Sequence, residues 1–212
     1  MPSSQVPLAL LVPFIAKADK VDDVVNFLHA GYDVQAEPDT IQWFAIQRTA
    51  HTPPTFRILD TFRGEDGRAA DLCGKVLEAL MANAATLLSE SPEIASLNAL
   101  ANKVTVVEGS ASKAAGLSVG LRVFLTANPD KVQAVQEFFL GALPIIEAEP
   151  TTTVWYALEF AGAIIDFFRD EEGRDAHLSG KAYEALFANA DALLASPLDI
   201  AKFDVVAASV KV

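Results

Sequence analysis

Two stretches of this chain of 212 residues are close copies of each other. Residues 60–88 align with residues 166–194 at a constant offset of 106, and 18 of the 29 aligned positions are identical. The similarity continues upstream, where the segments around Trp43 and Trp155 align at an offset of 112, so the first copy carries about six extra residues. Because a repeat of this period marks a repeated structural unit, the sequence predicts two copies of one module.

The repeat divides the chain into equal halves. We place module 1 at residues 1–108 and module 2 at residues 109–212, with a linker of small and polar residues at about 108–116. Each half has 8 Lys or Arg and 14 Asp or Glu, and the whole chain carries a net charge of −12. Such a charge repels phosphate backbones and anionic lipid surfaces, so we expect neither a nucleic-acid nor a membrane partner.

The location and the metal chemistry can be constrained from a few residue types. The apolar stretch at residues 8–16 is shorter than the roughly 20 residues of a membrane span, and no basic residue precedes Lys17, so no secretory signal is expected. Cys73 is the one cysteine, which excludes an intrachain disulfide. Three scattered histidines and one cysteine predict no metal site. We also expect no bound cofactor. Without a secretory signal, we expect the protein to be cytoplasmic.

The apolar patterns of each module follow the order strand, helix, strand, strand, helix, strand. In module 2, strand-like runs cover residues 117–125, 152–160 and 162–168, and the last strands of the two modules, near 97–107 and 203–212, are expected to close the sheets of their own modules. This order predicts an α+β fold of two tandem ferredoxin-like βαββαβ modules, each with helices on one sheet face. We expect the bare faces to pack sheet to sheet as an intramolecular pseudo-dimeric α+β barrel.

Side-chain alternation predicts two different faces for the hairpin of module 2. A two-residue turn at Ala161-Gly162 would place Trp155 opposite Phe168 and Ala157 opposite Asp166. One face is then apolar and suits cover by helices, with Tyr156, Leu158, Phe160, Ala163, Ile165 and Phe167. The other face is mixed, with Trp155, Ala157, Glu159, Ile164, Asp166 and Phe168, and module 1 repeats it with Trp43, Ala45, Gln47, Ile58, Asp60 and Phe62. Because a carboxylate is unfavourable to bury without a partner, the mixed face predicts a ligand pocket beside the cleft between the sheets.

The mixed face supplies the candidate catalytic carboxylates. If burial raises their pKa, Asp60 and Asp166 can accept a proton from a substrate. The alternative is that they pair with an arginine such as Arg122. His177 is a further candidate, although position 71 of module 1 carries Asp in its place, and a lone histidine near a helix start is also typical of a surface or capping residue.

Aromatic residues on the same face are candidate ligand contacts. Trp43 and Trp155 can stack a flat ligand, and the alternative is that they fill the interface between the modules. Phe62, Phe168 and Glu159 complete the candidate binding residues. We therefore expect a small apolar or aromatic molecule as the partner.

Residues 164–194, in which a strand is followed by Asp-Glu and then Ala-His-Leu, resemble the antibiotic-biosynthesis monooxygenase family of the dimeric α+β barrel superfamily. Residues 55–75 match in module 1. The resemblance implies this fold for both modules, as a fused version of a dimer that other members form from separate chains. It also implies that His177 is the histidine of the family's Ala-His motif.

The same resemblance implies a choice of chemistries, because some members oxidise aromatic polyketides or quinols with O2 and without metal or flavin, and others degrade heme. Phe62 and Phe168 occupy the strand ends where heme-degrading members have other residues, and the first strands contain no asparagine, which disfavours heme degradation. The leading hypothesis is a cofactor-independent monooxygenase-like enzyme for a small aromatic or quinol. The alternatives are a non-catalytic binding protein and a structural module without a cavity, and whether the fused pair also forms a homodimer is left open.

Overall fold

The computed structural model describes residues 6–34, 39–48, 50–105, 113–159 and 162–211. The elements follow in the order β1 (Leu8–Ile15), α1 (Val21–Val34), β2 (Thr40–Arg48), β3 (Thr55–Phe62), α2 (Glu65–Leu72), α3 (Lys75–Leu87), β4 (Ala95–Val104), β5 (Val119–Phe124), α4 (Val132–Ala148), β6 (Val154–Leu158), β7 (Ala163–Phe168), α5 (Glu171–Leu178), α6 (Lys181–Leu193) and β8 (Asp199–Val210). None of the described helices is long and apolar enough to cross a membrane.

The second helical segment of each module is two helices, where the sequence pattern predicted one. α2 ends before Cys73 and α3 starts after Gly74, while α5 ends before Ser179 and α6 starts after Gly180. Gly74 and Gly180 both adopt an extended backbone, with ψ of 159° and 171°. An extended residue interrupts the helical hydrogen bonds, so the apolar spacing continues across a break that hydrophobic periodicity does not show.

The chain forms two compact units. The carboxy-terminal unit comprises Asn98–Thr105 and Leu117–Lys202, and the amino-terminal unit comprises Val6–Leu97, the described part of the linker, and the chain from Phe203 onward. Each unit therefore contains the end of the last strand of the other module. The tandem α+β plan is confirmed, since each unit has an antiparallel sheet with helices on one face.

The sheet of the carboxy-terminal unit includes a strand from module 1. In this unit β5 pairs with β7, β7 with β6, and β6 with β4, with Lys103 opposite Trp155. In the amino-terminal unit β1 pairs with β3, β3 with β2, and β2 with β8. We expected each last strand in the sheet of its own module, and the sequence did not predict its pairing with the other module. Alternation identifies a strand and its faces, but the identity of a strand's neighbour depends on contacts far apart in the chain.

The helices cover the opposite sheet face from the predicted one. In the carboxy-terminal unit, α4 and α6 pack on Trp155, Ala157, Ile164 and Phe168, and in the amino-terminal unit α1 and α3 pack on the face that carries Trp43. The predicted helix-covered residues Tyr156, Leu158, Ala163, Ile165 and Phe167 are buried on the other face, and Phe160 lies outside the described residues. The helices contribute the polar groups that a carboxylate on this face needs once it is buried, which the prediction did not consider.

The hairpin of module 2 has a different register from the predicted one. Trp155 lies opposite Asp166, and Ala157 lies opposite Ile164, so the pairing is displaced by two residues. The connection between β6 and β7 spans residues 159–162, which is twice the predicted length, and part of the proposed turn at Ala161 lies outside the described residues. Because the displacement is even, it keeps Trp155 and Asp166 on one face, as predicted.

Candidate active site

The centre of the site is His177, on the last turn of α5. This helix begins at Asp170, whose carboxylate accepts a hydrogen bond of 2.8 Å from the Gly173 backbone N–H. Such a cap satisfies one of the free amides at the start of a helix and fixes its position. His177 is 2% exposed, so the alternative that it is a surface or capping residue is wrong.

Two carboxylates hold the imidazole from opposite sides. His177 Nε2 lies 3.4 Å from Asp166 Oδ2 on β7, and His177 Nδ1 lies 2.5 Å from Glu149 Oε2 after α4. The Thr152 hydroxyl donates to the same Glu149 oxygen at 2.7 Å and lies 3.1 Å from His177 Nδ1. The side chains form a continuous chain from the buried Asp166 through the buried His177 to the half-buried Glu149.

This arrangement favours the protonated form of His177. Burial alone would lower the pKa of His177, but the hydrogen bonds and charges of Asp166 and Glu149 outweigh it and raise the pKa to about 9. Burial would likewise raise the pKa of Glu149, and the hydrogen bond and charge of His177 bring it below its usual value. Complete burial raises the pKa of Asp166 by more than His177 lowers it.

A cavity lies between the helices and the sheet next to His177. Its walls are mostly apolar and are formed by Phe138, Phe139, Ala142, Ile146, Trp155, Ile164, His177, Ala182, Tyr183 and Leu186. The space between these walls is about 290 Å³ including the part open to solvent, and only about one water molecule fits within it until the walls move. The mixed face is almost completely filled by side chains, so the hypothesis of a structural module without a cavity stays open.

Aromatic rings surround the imidazole. The Phe168 ring centroid lies 5.3 Å from that of His177, and the Tyr183 ring meets His177 edge-on at 5.1 Å, with 80° between the planes. Trp155 on β6 is 2% exposed and forms part of the same cavity wall. The predicted contacts Trp155 and Phe168 therefore lie beside the predicted His177.

A lysine from module 1 supports the loop that carries Glu149. Lys103 on β4 donates to the backbone oxygens of Ile146, at 2.9 Å, and of Glu149, at 2.5 Å, at the end of α4. Burial lowers the pKa of Lys103, against the opposing charge of Glu149. A cation at a helix carboxy terminus is favourable, so Lys103 stabilises the position from which Glu149 reaches His177.

The amino-terminal unit contains a related cavity with different polar groups. Trp43 and Asp60 form part of its wall, with Asp71 in the place of His177 and Leu77 in the place of Tyr183. Thr40 donates to Asp71 Oδ1 at 3.0 Å, and the counterpart of Glu149, Glu37, lies outside the described residues. The predicted Asp60, Trp43 and Phe62 are buried, but no imidazole faces Asp60 at the equivalent position.

Two predicted contacts take other roles. Glu159 lies exposed after β6, where it accepts hydrogen bonds of 2.9 Å from Asn98 and from Gln136, so the structure places it away from the cavity wall. Arg122 does not pair with Asp166, because Leu121 is opposite Asp166 in the sheet and Arg122 points to the other face. Its guanidinium forms an ion pair of 2.6 Å with Asp199.

Glu149, Thr152 and Tyr183 were not predicted from the sequence. One signal was available for Glu149, since Glu-Pro recurs as Glu37-Pro38 and Glu149-Pro150 in the two modules. The threonine three residues after this glutamate also recurs, as Thr40 in module 1 and Thr152 in module 2. Among the described residues, no group of three or more His, Cys, Asp or Glu side chains is arranged to hold a metal ion.

Comparisons with known proteins bear on the fold. Neither a scan of protein-family models nor a search of curated proteins finds a match. A solved structure from Fusobacterium nucleatum, described as a candidate monooxygenase, is 13% identical, covers 100% of this chain and 96% of its own, and superposes with a TM-score of 0.83. An anthrone oxidase-like protein is 9% identical over 97% of this chain and 94% of its own, with a TM-score of 0.65.

A third structure, from Listeria monocytogenes, is described as a ferredoxin-fold protein related to antibiotic biosynthesis monooxygenases. It is 8% identical, covers 95% of each chain and has a TM-score of 0.55. At these identities the similarity concerns the fold. The chain has the tandem ferredoxin-like fold of proteins related to the antibiotic-biosynthesis monooxygenases.

Proposed function

We propose that the cavity of the carboxy-terminal unit is the active site of a cofactor-independent monooxygenase-like enzyme that acts on a small phenol or quinol. The observation that carries the proposal is the buried Asp166–His177–Glu149 chain, which meets an apolar cavity at His177. The description of one structure of this fold as anthrone oxidase-like supports an aromatic substrate.

His177 is the proposed base, because it is the titratable member of the chain that forms part of the cavity wall. Its neutral form accepts the proton of the substrate hydroxyl at Nε2, whose 3.4 Å contact with Asp166 is the longer of the two carboxylate contacts and gives way to the substrate. Asp166 and Glu149 stabilise the imidazolium that results. With a pKa of about 9, His177 is mostly protonated at neutral pH, and its neutral form, which increases as the pH rises toward 9, is a stronger base than a free histidine and closer in pKa to a phenol, about 10. Asp166, which the sequence suggested as the base, acts in this proposal through His177.

The remaining chemistry is that of the substrate anion and O2. The phenolate transfers one electron to O2, and the resulting radical and superoxide combine to form a carbon–oxygen bond. Cleavage of the oxygen–oxygen bond, with loss of hydrogen from the same carbon, leaves a quinone and one water molecule, for which His177 returns its proton. In total one phenol and one O2 give one quinone and one water, and the substrate supplies four electrons. The apolar walls exclude the water that would otherwise solvate the anion.

The narrowness of the cavity sets a condition on this function. Because the space holds little more than one water molecule, a ring can enter only if the side chains of α4 and α6 above Trp155 move apart. Motions of such side chains are common steps in substrate entry.

Oxygen uptake in the presence of a panel of small hydroxyaromatics tests the function. The wild type should consume one O2 per phenol, and His177→Gln should lower the rate by about 10²-fold or more. His51→Gln, an exposed histidine in the loop after β2, is the matched control and should retain the wild-type rate. Failure of the wild type to consume O2 with any member of the panel would contradict the proposal.

A second function, binding without catalysis, is favoured for the amino-terminal cavity. Position 71 there carries a carboxylate that accepts from Thr40, where the carboxy-terminal unit has an imidazole. A carboxylate is intrinsically a weaker proton acceptor for a phenol than an imidazole. In a Trp155→Phe variant, Trp43 is the remaining tryptophan and reports on the amino-terminal cavity. Saturable quenching of its fluorescence by a ligand, without O2 uptake, would identify this binding.

A further inference from the structure

The Tyr183 hydroxyl is a buried polar group that neither the fold nor the proposed proton transfer uses. Tyr183 lies on α6 and is 2% exposed, and its Oη has no hydrogen-bond partner among the described residues. Leaving a buried hydroxyl unpaired destabilises a protein. A phenylalanine would fill the same space without this penalty. The hydroxyl therefore indicates a hydrogen-bond partner that is not one of the described residues.

The position of Tyr183 indicates where such a partner would lie. Its side chain forms part of the cavity wall together with Trp155 and His177, and its ring meets the His177 ring edge-on at 5.1 Å. Both ring nitrogens of His177 are already directed at carboxylates. Tyr183 is therefore a donor of this wall whose hydrogen remains available to a ligand in the described structure.

The charges around the hydroxyl keep it a donor. Burial, with the nearby Asp166 carboxylate, raises the pKa of Tyr183 well above its usual value, so the phenol stays protonated. A protonated phenol in an apolar cavity pairs best with an acceptor oxygen such as a carbonyl or a hydroxyl. A hydrocarbon in the same place would leave the hydroxyl unpaired.

Module 1 provides an internal comparison. The residue aligned with Tyr183 is Leu77, which forms part of the wall of the amino-terminal cavity. The same helix therefore packs on the same sheet face without a hydroxyl. The phenolic oxygen of Tyr183 is not a requirement of the fold, which leaves a role in the cavity.

We propose that Tyr183 Oη donates a hydrogen bond to an oxygen atom of the bound ligand, so that this cavity selects small planar aromatic molecules with a carbonyl or hydroxyl oxygen over the corresponding hydrocarbons. The inference rests on the proposed function in taking this cavity as the ligand site. It assigns Tyr183 as a specificity-determining residue, and it requires no particular reaction. The apolar walls and Trp155 favour a flat ring, which enters once the walls move apart.

Equilibrium dialysis of the full chain with 1,4-naphthoquinone and with naphthalene tests the proposal. The wild type should bind the quinone at least about tenfold more tightly than naphthalene, since a site that pairs with an oxygen rejects the analogue that lacks it. Tyr183→Phe should weaken quinone binding about tenfold and change naphthalene binding less than twofold. Tyr32→Phe, on α1 of the amino-terminal unit, is the control and should match the wild type for both probes.

The outcomes separate this inference from the proposed function. Equal binding of the two probes by the wild type, or unchanged quinone binding by a folded Tyr183→Phe variant, would overturn the role of Tyr183. Preference for the quinone that disappears in Tyr183→Phe supports it, whether or not O2 is consumed. A wild type that shows this preference but no O2 uptake would refute the oxygenase function and leave the Tyr183 assignment intact.

Discussion

The raised pKa of His177 makes the stability of the protein depend on pH in a defined way. A group with a higher pKa in the folded state than in the unfolded state stabilises the fold when it is protonated. Its contribution is complete below the unfolded pKa of 6.5 and is lost as the pH rises through the folded value of about 9. Replacing His177 by Gln removes this contribution and leaves Asp166 and Glu149 facing each other without a cation.

The magnitude follows from the pKa difference. One pKa unit corresponds to about 1.4 kcal/mol, so a change from 6.5 to about 9 corresponds to about 3 kcal/mol. Breaking a buried ion pair by removing one partner destabilises a protein by about 3–5 kcal/mol. We therefore expect His177→Gln to lower the free energy of unfolding by about 3–5 kcal/mol at pH 6 and by about 3 kcal/mol less at pH 10.

Urea unfolding between pH 6 and pH 10 measures this dependence. The difference in unfolding free energy between wild type and His177→Gln should decrease steadily from pH 6.5 to above pH 9. His51→Gln should run parallel to the wild type, because this residue lies exposed outside the site. A difference that stays constant over this range, or grows with pH, would refute the assignment of His177 as a cation held between two carboxylates.

Three further predictions concern other contacts. In a spectrophotometric titration at 295 nm, Tyr183→Phe should leave the alkaline absorbance step of the folded protein unchanged, because Asp166 and burial prevent Tyr183 from ionising; a smaller step in the variant would count against this environment. Gly162→Ala should lower the free energy of unfolding by about 1–3 kcal/mol, because φ is +48° and an added Cβ would lie 2.7 Å from the Leu125 backbone oxygen. Gly141→Ala, in the open middle of α4, should raise it by up to about 1 kcal/mol. Chemical denaturation measures both changes. Lys103→Met should weaken the His177–Glu149 contact and lower the pKa of His177 in an NMR titration, and an unchanged pKa would show that Lys103 does not position the loop.

The fold and part of the site could be read from the sequence because they depend on local pattern. The offset of 106 and the alternation around Trp155 identified the modules and placed Asp166 and Trp155 on one face, and this remained correct when the register moved by two residues. The choice of the face that the helices cover was wrong, because the apolar face looked the better helix contact. The helices of both units cover the mixed face, and in the carboxy-terminal unit Asp166 pairs there with His177, a contact between a strand and a later helix that no local pattern contains.

The polar partners were harder to predict for the same reason. Glu149 follows α4 and His177 lies on α5, so their 2.5 Å contact depends on where the end of α4 lies relative to α5. No motif in the sequence marks Tyr183 as a functional residue. Its significance comes from the absence of a hydrogen-bond partner within the described structure, which a sequence does not show.

Each module contributes its last strand to the sheet of the other module, so neither module forms its site alone. Lys103 belongs to module 1, yet it donates hydrogen bonds to backbone oxygens at the end of α4 in module 2, where Glu149 follows the helix. A separated second half would lack both β4 and this lysine, and a second half taken from a divergent relative would meet a foreign strand at its edge. Substitutions in the two halves should therefore be accepted in compatible pairs, so that the duplicated sequences are free to diverge in their cavities but not along β4 and β8.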